Sequence, residues 1–263
     1  MKHHLSLLLI VLLFLPSLAC GAMTTSYVEG SGEIVDQSFD VSRFDRVALE
    51  GFGSVFITQG QTESLSVHTD ENIIPFLDVQ VNGGTLRLGI QRGVDVHPTK
   101  SITFSVTVKD LSAVRVDGSG DIYVEPIQSD GFDVSLLGSG NIGLKGLTAE
   151  DLSIALNGSG NIDIEAIEVQ KLTTSLQGSG DIQLAGIATT QNLRVNGSGN
   201  YLAGDLETRA ADINIPGSAE VTVWASEALT VRINGSGDIQ YYGRPQIEQS
   251  GAGSGNLISL GEK

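Results

Sequence analysis

With 263 residues the chain can form one large domain or two small ones, with a substantial core. Its 31 acidic and 15 basic side chains leave a formal charge of −16, which argues against nucleic acid and against an anionic bilayer surface, since both need clustered Lys and Arg. Glycine is abundant at 33 residues and aromatics are only 5%, yet Leu, Ile and Val recur at regular intervals, so the chain is neither collagen-like nor disordered.

The chain opens with Met1-Lys2-His3-His4 and an apolar run from Leu5 to Leu15, too short to span a bilayer but suited to the core of a signal peptide. Residues 1–20 are therefore expected to direct export. Cys20, the single cysteine, follows Leu18-Ala19 at a position resembling a bacterial lipobox, although Ser17 stands where Leu is usual. Cys20 is the expected lipid attachment point; the alternative is ordinary cleavage near Gly21 or Ala22 with Cys20 discarded. In either case the mature domain has no disulfide and must be held by packing and backbone hydrogen bonds. Residues 21–38 are expected to be a linker, and 39–263 a single domain.

Within that domain, residues 39–110 read as irregular. Phe44 to Leu49 lead through Gly51-Phe52-Gly53 into an alternating strand from Ser54 to Thr58. A strand around Ser64–His68, a short helical turn near Glu71–Leu77 and a hairpin through Asn82-Gly83-Gly84 follow. This part is expected to form the first, irregular rungs or a capping extension; a separate domain ending near Pro98 is the alternative.

Residues 111–263 repeat one phrase, Gly-Ser-Gly followed by Asn or Asp. Its first glycines stand at Gly118, Gly138, Gly158, Gly178, Gly197, Gly235 and Gly253, with a degraded copy at Gly217-Ser218-Ala219-Glu220. Two residues before the first glycine lie Val116, Leu136, Leu156, Leu176, Val195, Ile215 and Ile233, and four after it lie Ile122, Ile142, Ile162, Ile182, Tyr201, Val221, Ile239 and Leu257. Period-two alternation on both sides of a fixed corner means two half-buried strands per repeat. A further apolar column at Ile127, Leu147, Ile167, Ile187 and Leu206 suits a second corner.

One such unit cannot hide its apolar face alone, so copies must stack. The expected fold is all-β, a right-handed parallel β-helix with rungs of about 20 residues; a lipocalin-like barrel is the rival architecture. Gly118, Gly120, Gly138, Gly140, Gly158, Gly160, Gly178, Gly180, Gly197, Gly199, Gly235 and Gly237 are expected to be structural turn residues, with φ > 0 at a sharp corner and close approach of neighbouring backbones. The Asn or Asp that follows is expected to bond backbone N–H groups of the turn.

The column Asp121, Asn141, Asn161, Asp181, Asn200, Glu220, Asp238 and Asn256 raises the question of calcium. Four of these eight positions are neutral Asn, which favours turn chemistry over a metal column; a weak cation site near Glu220 and Asp238 stays open. His68 and His97 lie outside the regular repeats and read as surface residues, and the pairs Glu165 with Glu168 and Glu150 with Asp151 read as solvated corners. No catalytic residue, metal ligand or cofactor is expected. Ligand-binding residues are not defined at this level, though Tyr123, Trp224, Tyr241 and Tyr242 are the aromatic candidates for a sugar platform in the repeats, Tyr241 in a core column.

The repeated Gly-Asn-Ile of Gly140-Asn141-Ile142 and Gly160-Asn161-Ile162, with the segments "FDRVALEGFGSVFITQG" and "DENIIPFLDVQVNGGTLRLG", resembles the head GIN domain family, also labelled putative autotransporter adhesin head domain. The similarity runs from about Phe39 to Leu260. The resemblance implies an exported bacterial parallel β-helix, often a lipoprotein, and transfers no catalytic residue. The expected function is a non-enzymatic binding, adhesion or envelope structural module, membrane-anchored through Cys20 or free in the periplasm or at the cell surface. Its partner would be an unidentified protein or glycan of the cell envelope, not nucleic acid, with membrane contact only through the lipid. The alternative is a carbohydrate-active β-helix enzyme, a lyase or glycosidase.

Overall fold

The computed structural model describes residues 26–263; Cys20 and the expected signal segment lie outside the described residues. The period-two columns become parallel strands stacked coil upon coil. Gly131–Gly138 pairs with the second half of Leu147–Gly158 so that Gly138 faces Gly158, and Ala113–Gly118 pairs with Gly131–Gly138 so that Gly118 faces Gly138. After the corner, Asp121–Val124 pairs with Asn141–Leu144, which pairs with the start of Asn161–Leu176. A short third side begins at Ile127–Gln128 and continues through Leu147, Ile167 and their neighbours. The strands Asn161–Leu176, Ile182–Val195, Tyr201–Ile215 and Val221–Ile233 each run from the second side through the third and into the first. The result is a three-sided β-solenoid.

Alternation decides which side chains fill it. Ile154, Leu156, Ile162, Ile164, Ile167 and Val169, from one coil, are all buried. Each contributes about 2 kcal/mol of apolar burial, and Leu156, Ile162 and Ile164 sit on Leu176, Ile182 and Leu184 of the next coil. One predicted column slips. Ile187 was expected beside Ile167 in the core, but Gly186 pairs with Ile167, and Ile187 is 57% exposed while Ala188 is buried. The coil between Gly178 and Gly197 is one residue shorter than its predecessors, so the side chain that follows the corner points outward.

The interior also holds polar groups. Gln191 Nε2 donates to the buried Tyr201 hydroxyl at 2.7 Å. Burial pushes the Tyr201 phenol up. Thr174, buried two residues before Leu176, lies near that phenol without a well-formed hydrogen bond of its own.

The N-terminal part stacks out of chain order. Arg46–Gly51 lies between Thr85–Ile90 and Ala113–Gly118, and Ser54–Gln59 lies between Thr103–Val108 and Asp121–Val124. The coil carrying residues 85–108 therefore sits outside the one carrying 46–59. Antiparallel strands close this end. Leu77–Asn82 forms the predicted hairpin with Thr85–Ile90, and Ser64–Asp70 pairs antiparallel with Thr103–Val108. The helical turn is a short 3-10 segment, Ile74–Phe76.

Residues 26–38 depart from the expected linker. Ser26–Glu29 pairs with Val94–His97, and Ile34–Phe39 pairs antiparallel with Ser64–Asp70. Asp70 ties this segment down. Its carboxylate is buried and accepts from the Gly32 N–H at 2.7 Å, the Thr99 N–H at 2.8 Å and the Thr99 hydroxyl at 2.8 Å. At the other end two inward columns turn polar, since Gln249 follows Val231 and Ser259 follows Tyr241, and Gln246–Ser250 is wholly exposed.

Candidate functional site

The Gly-Ser-Gly corner between the first and second sides is where the sequence concentrates its invariance. A methyl group at Gly138, Gly158, Gly178, Gly197 or Gly235 would lie 1.8–2.0 Å from the carbonyl oxygen of the first glycine one coil earlier. At Gly140, Gly160, Gly180 and Gly199 the distance to the preceding coil's carbonyl is 1.7–1.9 Å. Gly118, Gly120 and Gly237 meet the preceding coil at 2.3, 2.4 and 2.3 Å. A left-handed φ occurs at only two of the predicted turn glycines, Gly118 at +142° and Gly138 at +135°. The expectation of φ > 0 at every corner is thus corrected: Gly158 and its successors are required by stacked backbones that leave no room for Cβ, not by torsion.

That closeness is functional for the stack. Backbone N–H groups of Ser139, Ser159, Ser179 and Ser198 donate to the first glycine of the previous coil at 2.8–2.9 Å. The following Asn or Asp continues the ladder through its side chain. Asp121 Oδ1 accepts from the Asn141 N–H at 2.9 Å and from Asn141 Nδ2 at 2.8 Å, and Asn141 Oδ1 accepts from the Asn161 N–H at 3.2 Å. Asn161 Oδ1 accepts from Asp181, and Asp181 Oδ1 from Asn200. The partner is the next coil's backbone rather than the residue's own turn. At the last coil Asp238 repeats the contact with Asn256, while Glu220 accepts from Gln240 Nε2. No group of three or more His, Cys, Asp and Glu side chains among the described residues is placed to hold a metal ion.

The lateral surface carries the places where a ligand can lie. The third side holds two open depressions of about 710 and 730 Å³, the first floored by Pro126, Gly146 and Ala166, the second edged by Asp110, Asp130 and Glu150. Glu168 borders both. On the second side a notch of about 260 Å³ lies between Tyr123, Gly143 and Asp163, with Asn141, Asn161 and Glu165 around it. Lys145 Nζ donates to Glu125 Oε1 at 2.7 Å at its rim, and this contact, with Glu165 nearby, raises the lysine above its ordinary range.

The predicted aromatics separate. Tyr123 is 41% exposed and stacks on Phe56, itself 47% exposed, with ring centroids 5.2 Å apart. Tyr241 packs against the core. Trp224 and Tyr242 face Lys263, whose ammonium lies 5.6 and 5.1 Å from their ring centroids and donates to the Gly204 carbonyl at 2.6 Å and to Asp205. Phe56 was missed, although it stands five residues after Gly51 as Tyr123 stands five after Gly118. His68 and His97 lie in the N-terminal cap beside Asp36 and Asp95. Glu165 and Glu168 lie on different sides of the coil, one at the notch and one on the third side.

Stacked parallel coils, a glycine corner and a varied lateral surface define a β-solenoid. Residues 43–245 match the model of a family described as putative auto-transporter adhesin, head GIN domain, and the chain belongs to that family. It is similar to the crystal structure of a putative lipid binding protein from Parabacteroides distasonis, at 30% identity and a TM-score of 0.85, covering 89% of this chain and 100% of that one. A putative adhesin from Bacteroides fragilis is 27% identical with a TM-score of 0.69, covering 89% and 100%. One from Parabacteroides merdae has the same fold at 22% identity and a TM-score of 0.83, covering 89% and 99%. No curated protein matches the chain.

Proposed function

We propose that this protein is a non-enzymatic, exported binding or adhesion module of the cell envelope, anchored through lipidated Cys20. The observation that carries the reading is the exposed Phe56–Tyr123 stack, an aromatic platform on the second side of the solenoid. Family membership among putative adhesins supports it. The relative named for lipid binding suggests another ligand class, but here side chains from three sides fill the solenoid, so a lipid would have to lie on its outside.

Two experiments test the reading. The purified protein, incubated with acidic and neutral polysaccharides with and without calcium, is expected to release no new reducing ends and no unsaturated products. Turnover that disappears on changing one carboxylate, such as Glu150 or Glu168, would replace the module with the carbohydrate-active enzyme. Cys20→Ser is expected to move the protein from the membrane fraction to the soluble one, and retention unchanged by the substitution would remove the lipid anchor from the proposal.

A further inference from the structure

We infer that the notch beside Tyr123 binds a neutral pyranose unit of a glycan. The inference rests on the binding-module reading and gives its lateral site a ligand class. Along the second side, position by position, Phe56, Tyr123 and Gly143 follow one another in register on adjacent strands. Phe56 covers one face of the Tyr123 ring. On the other side the next coil offers Gly143, where a Cβ would already come within 3.3 Å of Tyr123 Cδ1. The aromatic ladder thus stops one step short, and the space it leaves is the 260 Å³ notch.

The walls of that space choose the occupant. An apolar peptide anchor would match Tyr123 and the mostly apolar floor, but it would return no hydrogen bonds to Asp163 and Glu165 at the edge. A pyranose has an apolar C–H face for the ring and a girdle of hydroxyls, each both donor and acceptor. Those hydroxyls can donate to Asp163 and Glu165, which accept only, and accept from the second N–H of the Asn141 and Asn161 side-chain amides, whose first is held in the ladder. Asn141 and Asn161 are already held by the corner ladder, so they present fixed geometry at little entropic cost. An anionic sugar is disfavoured, because Lys145 is engaged by Glu125 and the chain carries −16 charges.

Affinity electrophoresis of the purified protein through gels containing soluble β-glucan, mannan, xylan or galactan tests the assignment. At least one of these is expected to retard the wild type. Tyr123→Ala and Gly143→Val should each weaken that retardation about tenfold, while Leu202→Ala, exposed further along the same side, should not. Gly143→Val adds a β-branched side chain at a half-exposed strand position, so lost binding with an unchanged melting curve reports the filled notch and not unfolding. Retardation by none of the four glycans, or retardation indifferent to both notch variants, would overturn the inference while the binding-module reading stands. New reducing ends in the same mixtures would overturn that reading itself.

Discussion

Gly160→Ala isolates the reason for the corner glycines. The added methyl carbon would lie 1.7 Å from the Gly140 carbonyl oxygen and 2.8 Å from its carbon, where ordinary contact begins near 3.4 Å. Two adjacent coils, spaced about 4.8 Å apart, would have to separate locally by more than a third of that distance. They are joined on either side of Gly160 by the Ser159 N–H to Gly138 at 2.8 Å and the Asn161 N–H to Asn141 at 3.2 Å. Losing those two bonds costs about 1 kcal/mol each, and the forced expansion of a packed corner adds about 2 kcal/mol. A loss of about 4 kcal/mol should lower the melting temperature by about 8–16 °C for a domain of this size. Gly131→Ala is the control, because the nearest atom to its added methyl is 3.9 Å away, and its change should stay within about 0.5 kcal/mol. Thermal unfolding followed by far-ultraviolet circular dichroism reads both, and hydrogen exchange at the Asn161 amide reads the corner itself. If the two variants melt together, the close-approach argument is wrong.

Asp70→Asn should loosen the N-terminal cap by about 2–3 kcal/mol at neutral pH, since three hydrogen bonds converge on that buried carboxylate. Burial alone would raise the Asp70 pKa, but the bonds from the Thr99 hydroxyl and the Gly32 and Thr99 N–H groups outweigh it and hold the carboxyl below its usual range. A lowered folded pKa means stability that is full above about pH 4 and lost as pH falls through the lower folded value, so an acid titration should weaken the wild-type cap in that window and the Asn variant much less. Leu206→Ser, at a buried position, should cost about 3 kcal/mol in urea denaturation, whereas Ile187→Ser should cost almost nothing; equal costs would contradict the register slip. Deleting residues 138–157 sets Gly118 against Gly158 and Asp121 against Asn161, so this variant should fold and export better than one lacking only 138–147. Equal yields from the two deletions would refute the register argument.

The repeated part was legible because each coil is a neighbour of the next in both sequence and space. Val116, Leu136 and Leu156 are twenty residues apart in the chain and stacked in the fold, so one alternation rule places them all. The same rule misplaced Ile187, and the visible cue was the short interval from Gly178 to Gly197. The first coils were harder, because strands there find partners that periodicity does not indicate: Asp36 faces His68, and Tyr27 faces Asp95. Corner glycines were legible by position and by the close approach of neighbouring backbones, but not by torsion, since a left-handed φ is confined to Gly118 and Gly138 among the predicted turn glycines. Phe56 was hidden for a different reason. Its match with Tyr123 appears only after Gly51-Phe52-Gly53 is aligned with the later corners across an intervening coil and cap.

A solenoid of this kind divides its positions between two duties. On the second side the inward column Val55, Ile122, Ile142, Ile162, Ile182, Tyr201, Val221 and Ile239 stays buried throughout, as stacking demands. The alternating outward column reads Phe56, Tyr123, Gly143, Asp163, Gln183, Leu202 and Thr222, with no common chemistry. Exposed ion pairs link neighbouring coils, Arg87 with Glu50, Lys145 with Glu125 and Arg209 with Glu227. Such pairs add little stability each, yet they offset the repulsion that like charges in adjacent coils would create. Outward positions can therefore change from coil to coil at small cost to the fold, whereas corner and inward positions cannot. Specificity on such a rod must be written in the outward columns. The abrupt passage there from two stacked rings to a glycine and then to carboxylates gives the Tyr123 notch a chemical character that the neighbouring coils do not repeat.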